Sequence, residues 1–84
     1  MTKYDGLARL LRDLSGPRTR LTFETIATAV PGGLPPSAYR RTAWWSNEAQ
    51  GSHVQARAWM DAGWRVEELD LADRSVTFIR SRSS

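Results

Sequence analysis

The last quarter of the chain has the residue pattern of a β-hairpin, and this pattern constrains the fold more than any other. Trp64 and Val66 alternate with polar residues, and Val76 and Phe78 resume the alternation after a turn predicted at residues 72–75. An isolated hairpin is only marginally stable in water. The rest of the chain must therefore supply a further strand, so that a small sheet can close the core.

Residues 18–23 are the candidate for that further strand. Their alternation predicts a short strand that runs directly into a helix capped near Thr22. Within the hairpin, Leu69 and Leu71 are an odd number of positions away from Trp64 and Val66, so in a regular strand they would face the opposite side. This change of parity predicts a twist or bulge near residues 67–68.

The segments between these strands have helical periodicity. Apolar residues at helical spacing, with glycine, proline and capping residues at the ends, predict helices at about 3–14, 23–30, 36–42 and 53–62. Without one of the two middle helices, the order of elements is that of a winged helix. The predicted fold class is therefore α+β and winged helix-turn-helix-like, with three to four short helices and a small antiparallel sheet that ends in the C-terminal hairpin. Residues 1–80 are predicted to form one domain and residues 81–84 a frayed tail.

Composition excludes several classes of protein. The 84 residues include no cysteine and only one histidine, so a disulfide framework, a thiolate zinc site and a histidine-rich metal site are excluded. No apolar run reaches the roughly 18 residues that a membrane span needs, and no signal peptide is evident. We therefore expect a small cytoplasmic protein with no membrane partner, no metal and no cofactor.

Enzyme motifs are also missing. The acidic cluster at residues 67–73 resembles the carboxylates of a metal-dependent nuclease, but Lys3 is the only lysine and lies far away in the sequence. Gly32 and Gly33 lack the lysine of a phosphate-binding loop and the dinucleotide fingerprint. We predict that the protein is not an enzyme and has no catalytic residues.

The charge balance favours a polyanionic partner only modestly. Twelve basic and nine acidic residues give a net charge of +3, and the isoelectric point is about 10.2. Eleven of the cations are arginine, whose planar fork suits phosphates and guanine edges. A GC-rich genome explains this bias equally well. The decisive question is whether the scattered arginines converge on one face.

Most of the chain resembles a family of small, mostly uncharacterised bacterial domains. The resemblance is carried by the motifs LPPSA at 34–38, AWWSN at 43–47, QARAW at 55–59, AGW at 62–64 and VTFIR at 76–80. It implies a soluble bacterial domain with these boundaries. It implies no catalytic residues.

The helix directly before the hairpin occupies the position of a recognition helix, which predicts binding to double-stranded DNA. The protein would then be a small transcriptional regulator or a defence-associated accessory protein. The predicted contact residues are Arg40, Arg41, Asn47, Ser52, His53, Gln55, Arg57 and Arg74. In this hypothesis Arg40, Arg41 and Arg74 hold phosphates, while Asn47, Gln55 and Arg57 read base edges.

Each of these residues also has an ordinary structural interpretation. Gln55 can form a capping box with Ser52, and Asn47 can satisfy backbone groups in a tight turn. Arg57 and His53 can simply be solvated, and Arg74 can belong to a plain hairpin turn. The DNA hypothesis therefore depends on the set as a whole.

The four tryptophans raise a second hypothesis. If Trp44 or Trp45 is exposed, it can anchor a protein partner, or it can stack on an unpaired base. Alternatively all four fill the core, with Trp59 and Trp64 as the better candidates for burial. A homodimer fits either hypothesis.

Overall fold

The computed structural model describes residues 3–47 and 54–81. It contains, in chain order, α1 (Asp5–Arg12), β1 (Arg18–Thr22), α2 (Phe23–Thr28), α3 (Pro36–Arg40), a 3₁₀ helix η1 (Thr42–Trp45), α4 (Val54–Met60), β2 (Trp64–Asp70) and β3 (Ser75–Arg80). The predicted α+β class and the predicted order of elements are confirmed. No helix in these ranges has the length and apolar character that a membrane crossing requires.

The sheet has the strand order β1-β3-β2, and both pairings are antiparallel. The hairpin of β2 and β3 is therefore present, and β1 is the third strand that it needs. The register shifts between Val66 and Glu68, which confirms the predicted bulge. The turn occupies residues 71–74 rather than 72–75, because Ser75 already pairs with Thr22 and Asp70 as the first residue of β3.

The two faces of the sheet differ in chemistry. Residues opposite one another on antiparallel strands point to the same face. One face carries Val76 and Phe78, which are 1% and 0% exposed and pack into the core. The register places on the other face, which we call the outer sheet face, Arg18, Arg20, Arg65, Glu68, Asp70, Ser75, Thr77 and Ile79.

The helices are shorter than their sequence patterns predict. α1 ends at Arg12 rather than near Leu14, and the chain then turns through Gly16, whose φ is +93°. The Arg80 guanidinium stacks on Trp64 at 4.2 Å and donates hydrogen bonds to the carbonyls of Leu14 (2.7 Å) and Gly16 (3.2 Å). Arg80 is thus a long-range partner for the carbonyls of the turn that follows α1, which local periodicity does not reveal.

Two local features fix how α2 begins and ends. The Thr22 hydroxyl accepts a hydrogen bond from the Thr25 N–H at 3.1 Å, which confirms the predicted cap. The end of α2 lies directly against the start of α1 at Gly6. A Cβ added to Gly6 would therefore clash with the Ala29 carbonyl oxygen. Only glycine fits at that position.

Three tryptophans form the centre of the core. Trp45, Trp59 and Trp64 are each at most 1% exposed. Every one of their indole N–H groups has an acceptor: the Ala38 carbonyl at 2.8 Å, the Asn47 Oδ1 at 3.0 Å and the Leu11 carbonyl at 2.9 Å, respectively. The predicted burial of Trp59 and Trp64 is confirmed.

Candidate nucleic-acid interface

The turn of the hairpin contacts α3 and brings predicted contact residues together. The Arg74 guanidinium lies over the Tyr39 ring, 5.5 Å from its centroid. Tyr39 is followed directly by Arg40, the last residue of α3, and by Arg41. We call Tyr39, Arg40, Arg41 and Arg74 the α3–turn surface. Its three arginines are exposed and its tyrosine is half-buried.

Local sequence positions both parts of this surface. Pro36 occupies the first turn of α3, where a backbone N–H has no helical partner and its absence costs nothing. The helix ends at Arg40 because the backbone of Arg41 is extended (φ −122°, ψ 122°). On the other side, the Arg74 carbonyl accepts the Phe23 N–H at 2.8 Å. This bond ties the hairpin turn to the start of α2, beside α3.

Arg74 has an uncommon backbone conformation. Its φ is +53°, and it is the one non-glycine residue with positive φ in the described part of the chain. The left-handed region costs a residue with a Cβ about 1 kcal/mol. The backbone bond to Phe23 requires only a carbonyl, so glycine would meet the same need without this cost.

A concavity of about 490 Å³ lies between the turn and α3. It is lined by Thr22, Phe23, Glu24, Ala27, Tyr39, Asp73 and Arg74. The Tyr39 hydroxyl has no hydrogen-bond partner among residues 3–47 and 54–81. One of the two carboxylates here, that of Asp73, accepts from the Arg20 guanidinium at 2.8 Å.

The arginines of the α3–turn surface have no carboxylate partner within the described ranges. No salt bridge involves Arg40, Arg41 or Arg74. Part of the reason is local, since residues 25–47 contain no aspartate or glutamate. Within the described residues, the positive charge of this surface is therefore not offset by an ion pair.

Asn47 holds three elements together. Although the residue is exposed, its Oδ1 accepts from the Val66 N–H (2.8 Å) and from the Trp59 indole (3.0 Å). Its Nδ2 donates to the Val66 carbonyl at 2.9 Å. The amide thus pairs with β2 as a neighbouring strand would. This geometry agrees with the backbone-satisfying interpretation of Asn47, and we leave the residue out of the interface.

Gln55 and Arg57, two further predicted residues, do not join the α3–turn surface. Gln55 is 7% exposed and donates from Nε2 to the Trp44 carbonyl at 3.1 Å. Arg57 lines a different groove, between α1 and α4, together with Arg12, Asp5 and Asp61. Ser52 and His53 lie outside the described residues.

The tryptophan pair is not an exposed platform. Trp45 is 1% exposed and stacks between Phe23 at 4.9 Å and Trp59 at 5.8 Å, so the expectation that it could serve as an exposed anchor is wrong. Trp44 is half-buried, with its ring against Tyr4 and Trp45. Small domains with few phenylalanines use such rings for their core.

Tyr39 is the residue that sequence reasoning missed. The available signal was its place directly before two arginines, in a segment free of acidic residues. Its contact with Arg74 joins positions 35 residues apart, and neither local pattern points to the other.

The fold and this surface define a small α+β domain with exposed arginines that form no ion pair among the described residues. Comparison with protein families shows where such a chain belongs. It is a member of the family described as a domain of unknown function (DUF7662), which matches residues 4–82. Membership in a family of uncharacterised domains is thereby confirmed. No curated protein and no solved structure matches the chain significantly.

Proposed function

We propose that this protein binds double-stranded DNA through the α3–turn surface. One observation carries the proposal: Arg40, Arg41 and Arg74 are exposed and without carboxylate partners in the described ranges, and Arg74 contacts Tyr39, the residue directly before Arg40 and Arg41. Guanidinium groups in this state are suited to phosphates, which they can hold with two hydrogen bonds at once.

The topology supports the same proposal. The element order and the β1-β3-β2 sheet resemble a winged helix with one additional helix, and the hairpin turn corresponds to the tip of the wing. In this proposal the protein is a small bacterial transcriptional regulator or a defence-associated accessory protein in the cytoplasm.

Contacts to phosphates have stronger support than contacts to bases. In α4, the predicted recognition helix, four of seven residues are buried: Gln55, Ala56, Ala58 and Trp59. Of the base-reading residues predicted on α4, Arg57 is the one with an exposed side chain. We therefore propose binding with little sequence preference, dominated by the DNA backbone.

Fluorescence anisotropy with a labelled duplex tests the proposal. Three phosphate contacts give a salt slope of about −2.7, so affinity should fall about 40-fold when the salt concentration rises from about 50 to about 200 mM. The double variant R40A/R41A should bind at least about tenfold more weakly at about 50 mM salt and lose about two units of slope.

The matched control is R9A/R65A. Arg9 and Arg65 are exposed, form no ion pair with the described residues and lie on α1 and the outer sheet face. This variant removes the same net charge and should stay within about threefold of the wild type. Equal losses in both double variants, or no binding by the wild type at about 50 mM salt, would show that the proposal is wrong.

A further inference from the structure

We propose that the concavity between the hairpin turn and α3 is a phosphate-binding site, with Arg74 and Tyr39 as its two ligand-contacting residues. The ligand is expected to be a backbone phosphate of DNA. In that respect the inference rests on the proposed function, which it deepens by naming the contact. The juxtaposition that supports it is a guanidinium and a phenol facing one concavity of about 490 Å³, neither with a hydrogen-bond partner among the described residues.

Arginine is not the residue that the backbone at position 74 favours. A residue with a φ of +53° pays a conformational cost that glycine would avoid, and its carbonyl bond to the Phe23 N–H does not depend on the side chain. Because glycine would serve the backbone at lower cost, the conformation of Arg74 points to a use of its side chain.

In the folded protein the Arg74 side chain contacts an aromatic ring rather than a carboxylate of the described residues. Arg74 makes no ion pair, although Asp73 is adjacent in sequence and Glu24 lines the same concavity. Asp73 instead accepts from Arg20, at 2.8 Å. The Tyr39 ring holds the guanidinium by a cation–π contact, which orients the group without using its N–H donors.

The hydrogen-bond donors of Arg74 and Tyr39 are suited to a phosphate ligand. Arg74 offers a charged planar fork of donors, and the Tyr39 hydroxyl adds a donor beside it. A phosphate oxygen accepts from both kinds of group, and charge-assisted hydrogen bonds of this type are about twice as strong as neutral ones. Arg40 and Arg41 add positive potential at the adjoining end of α3.

The test compares three variants for DNA affinity and melting temperature. R74G removes the guanidinium and the backbone cost together, and R74N does so with a residue that tolerates positive φ. Both should bind duplex DNA about tenfold more weakly, lose about 0.9 of the salt slope and melt within a few degrees of the wild type. Y39F keeps the ring, so it should lose about threefold in affinity with an unchanged slope.

The variant E24Q should change DNA affinity in the opposite direction. Removing the carboxylate that lines the concavity should tighten DNA binding about threefold, since it removes repulsion of a phosphate. The matched control is R65A, an exposed arginine on the outer sheet face, which should change affinity by less than about twofold.

Titration with inorganic phosphate, followed by amide chemical shifts, separates the two proposals. We expect shifts at Glu24, Tyr39 and Arg74 in the wild type that are absent in R74G. If the wild type binds no duplex but shows these shifts, the proposed function is wrong and the phosphate site stands. If the wild type binds duplex while R74G and R74N behave as R65A does, or if both melt far below the wild type, the phosphate site is wrong.

Discussion

The outer sheet face and the α3–turn surface each carry three arginines, but among the described residues only the outer sheet face pairs any of them, Arg18 and Arg20, with carboxylates. On the outer sheet face, Arg18 contacts Glu67 at 3.1 Å and Glu68 at 2.8 Å, and Arg20 contacts Asp73 at 2.8 Å. On the α3–turn surface no arginine has a carboxylate partner within the described residues. The number of arginines on a surface is therefore a poor guide to its charge.

The cause of the difference is strand pairing. The register places the basic strand β1 and the acidic strand β2 on either side of β3, within reach of one another across a narrow neutral strip that includes Thr77 and Ser75. No carboxylate of the described residues pairs with the arginines of α3, and the chain from 25 to 47 supplies no acid of its own. Pairing across the sheet therefore engages Arg18 with acids of β2, whereas no described carboxylate engages Arg40, Arg41 or Arg74.

The largest expected effect is charge reversal on the α3–turn surface. R40E/R41E should weaken duplex binding by at least about 100-fold, equivalent to about 2.7 kcal/mol, because two phosphate contacts become repulsive. Melting temperature should change little, since both side chains are exposed and unpaired in the described structure. Anisotropy and thermal unfolding measure the two quantities. A loss of less than threefold would remove the distinction between the two surfaces.

An intermediate effect is expected at Asn47, on stability rather than on binding. N47A should lower the free energy of unfolding by about 1–2 kcal/mol, chiefly because the N–H of the buried Trp59 ring loses its acceptor. Urea denaturation measures this change, and DNA affinity at a temperature where the variant is folded should stay within about twofold. The double variant N47A/W59F removes the orphaned donor and should be less destabilised than the sum of the single variants. If the losses in the free energy of unfolding are additive, the unpaired Trp59 N–H is not the source of the destabilisation.

The smallest effect is expected for R20A. Arg20 donates to the Asp73 carboxylate at 2.8 Å and to the Ser75 hydroxyl at 2.9 Å, but its side chain is 60% exposed. Such pairs contribute about 0.5–1 kcal/mol, and the loss should shrink when unfolding is measured at about 1 M salt. DNA affinity should change by less than threefold. An affinity loss as large as that of R40A/R41A would mean that the outer sheet face also binds DNA.

The fold was predictable where the pattern is local and strict. Alternation identified all three strands, and the change of parity after Val66 identified the bulge, because side chains on a strand alternate with a period of two. The cap at Thr22 followed from the same kind of short-range rule. The end of α1 did not, because groups far along the chain hold this region: the Trp64 indole donates to the Leu11 carbonyl, and Arg80 donates to carbonyls of the turn that follows the helix.

The candidate site was predictable only in part. Arg40, Arg41 and Arg74 were predicted contact residues, and the structure brings their segments together. Their expected neighbours Asn47 and Gln55 instead bond to Val66, Trp59 and the Trp44 carbonyl. An exposed polar residue in a short motif looks the same in a sequence whether it serves a ligand or the protein's own backbone.

By itself, the sequence determined the α+β class, the three strands with their bulge, and the burial of Trp59 and Trp64, because these depend on periodicity and on apolar area. Tertiary structure alone decided which of the described arginines have a carboxylate partner and which do not. That outcome depends on distances between residues far apart in the chain, and an ion pair forms only where the fold brings a carboxylate to within about 4 Å of a guanidinium.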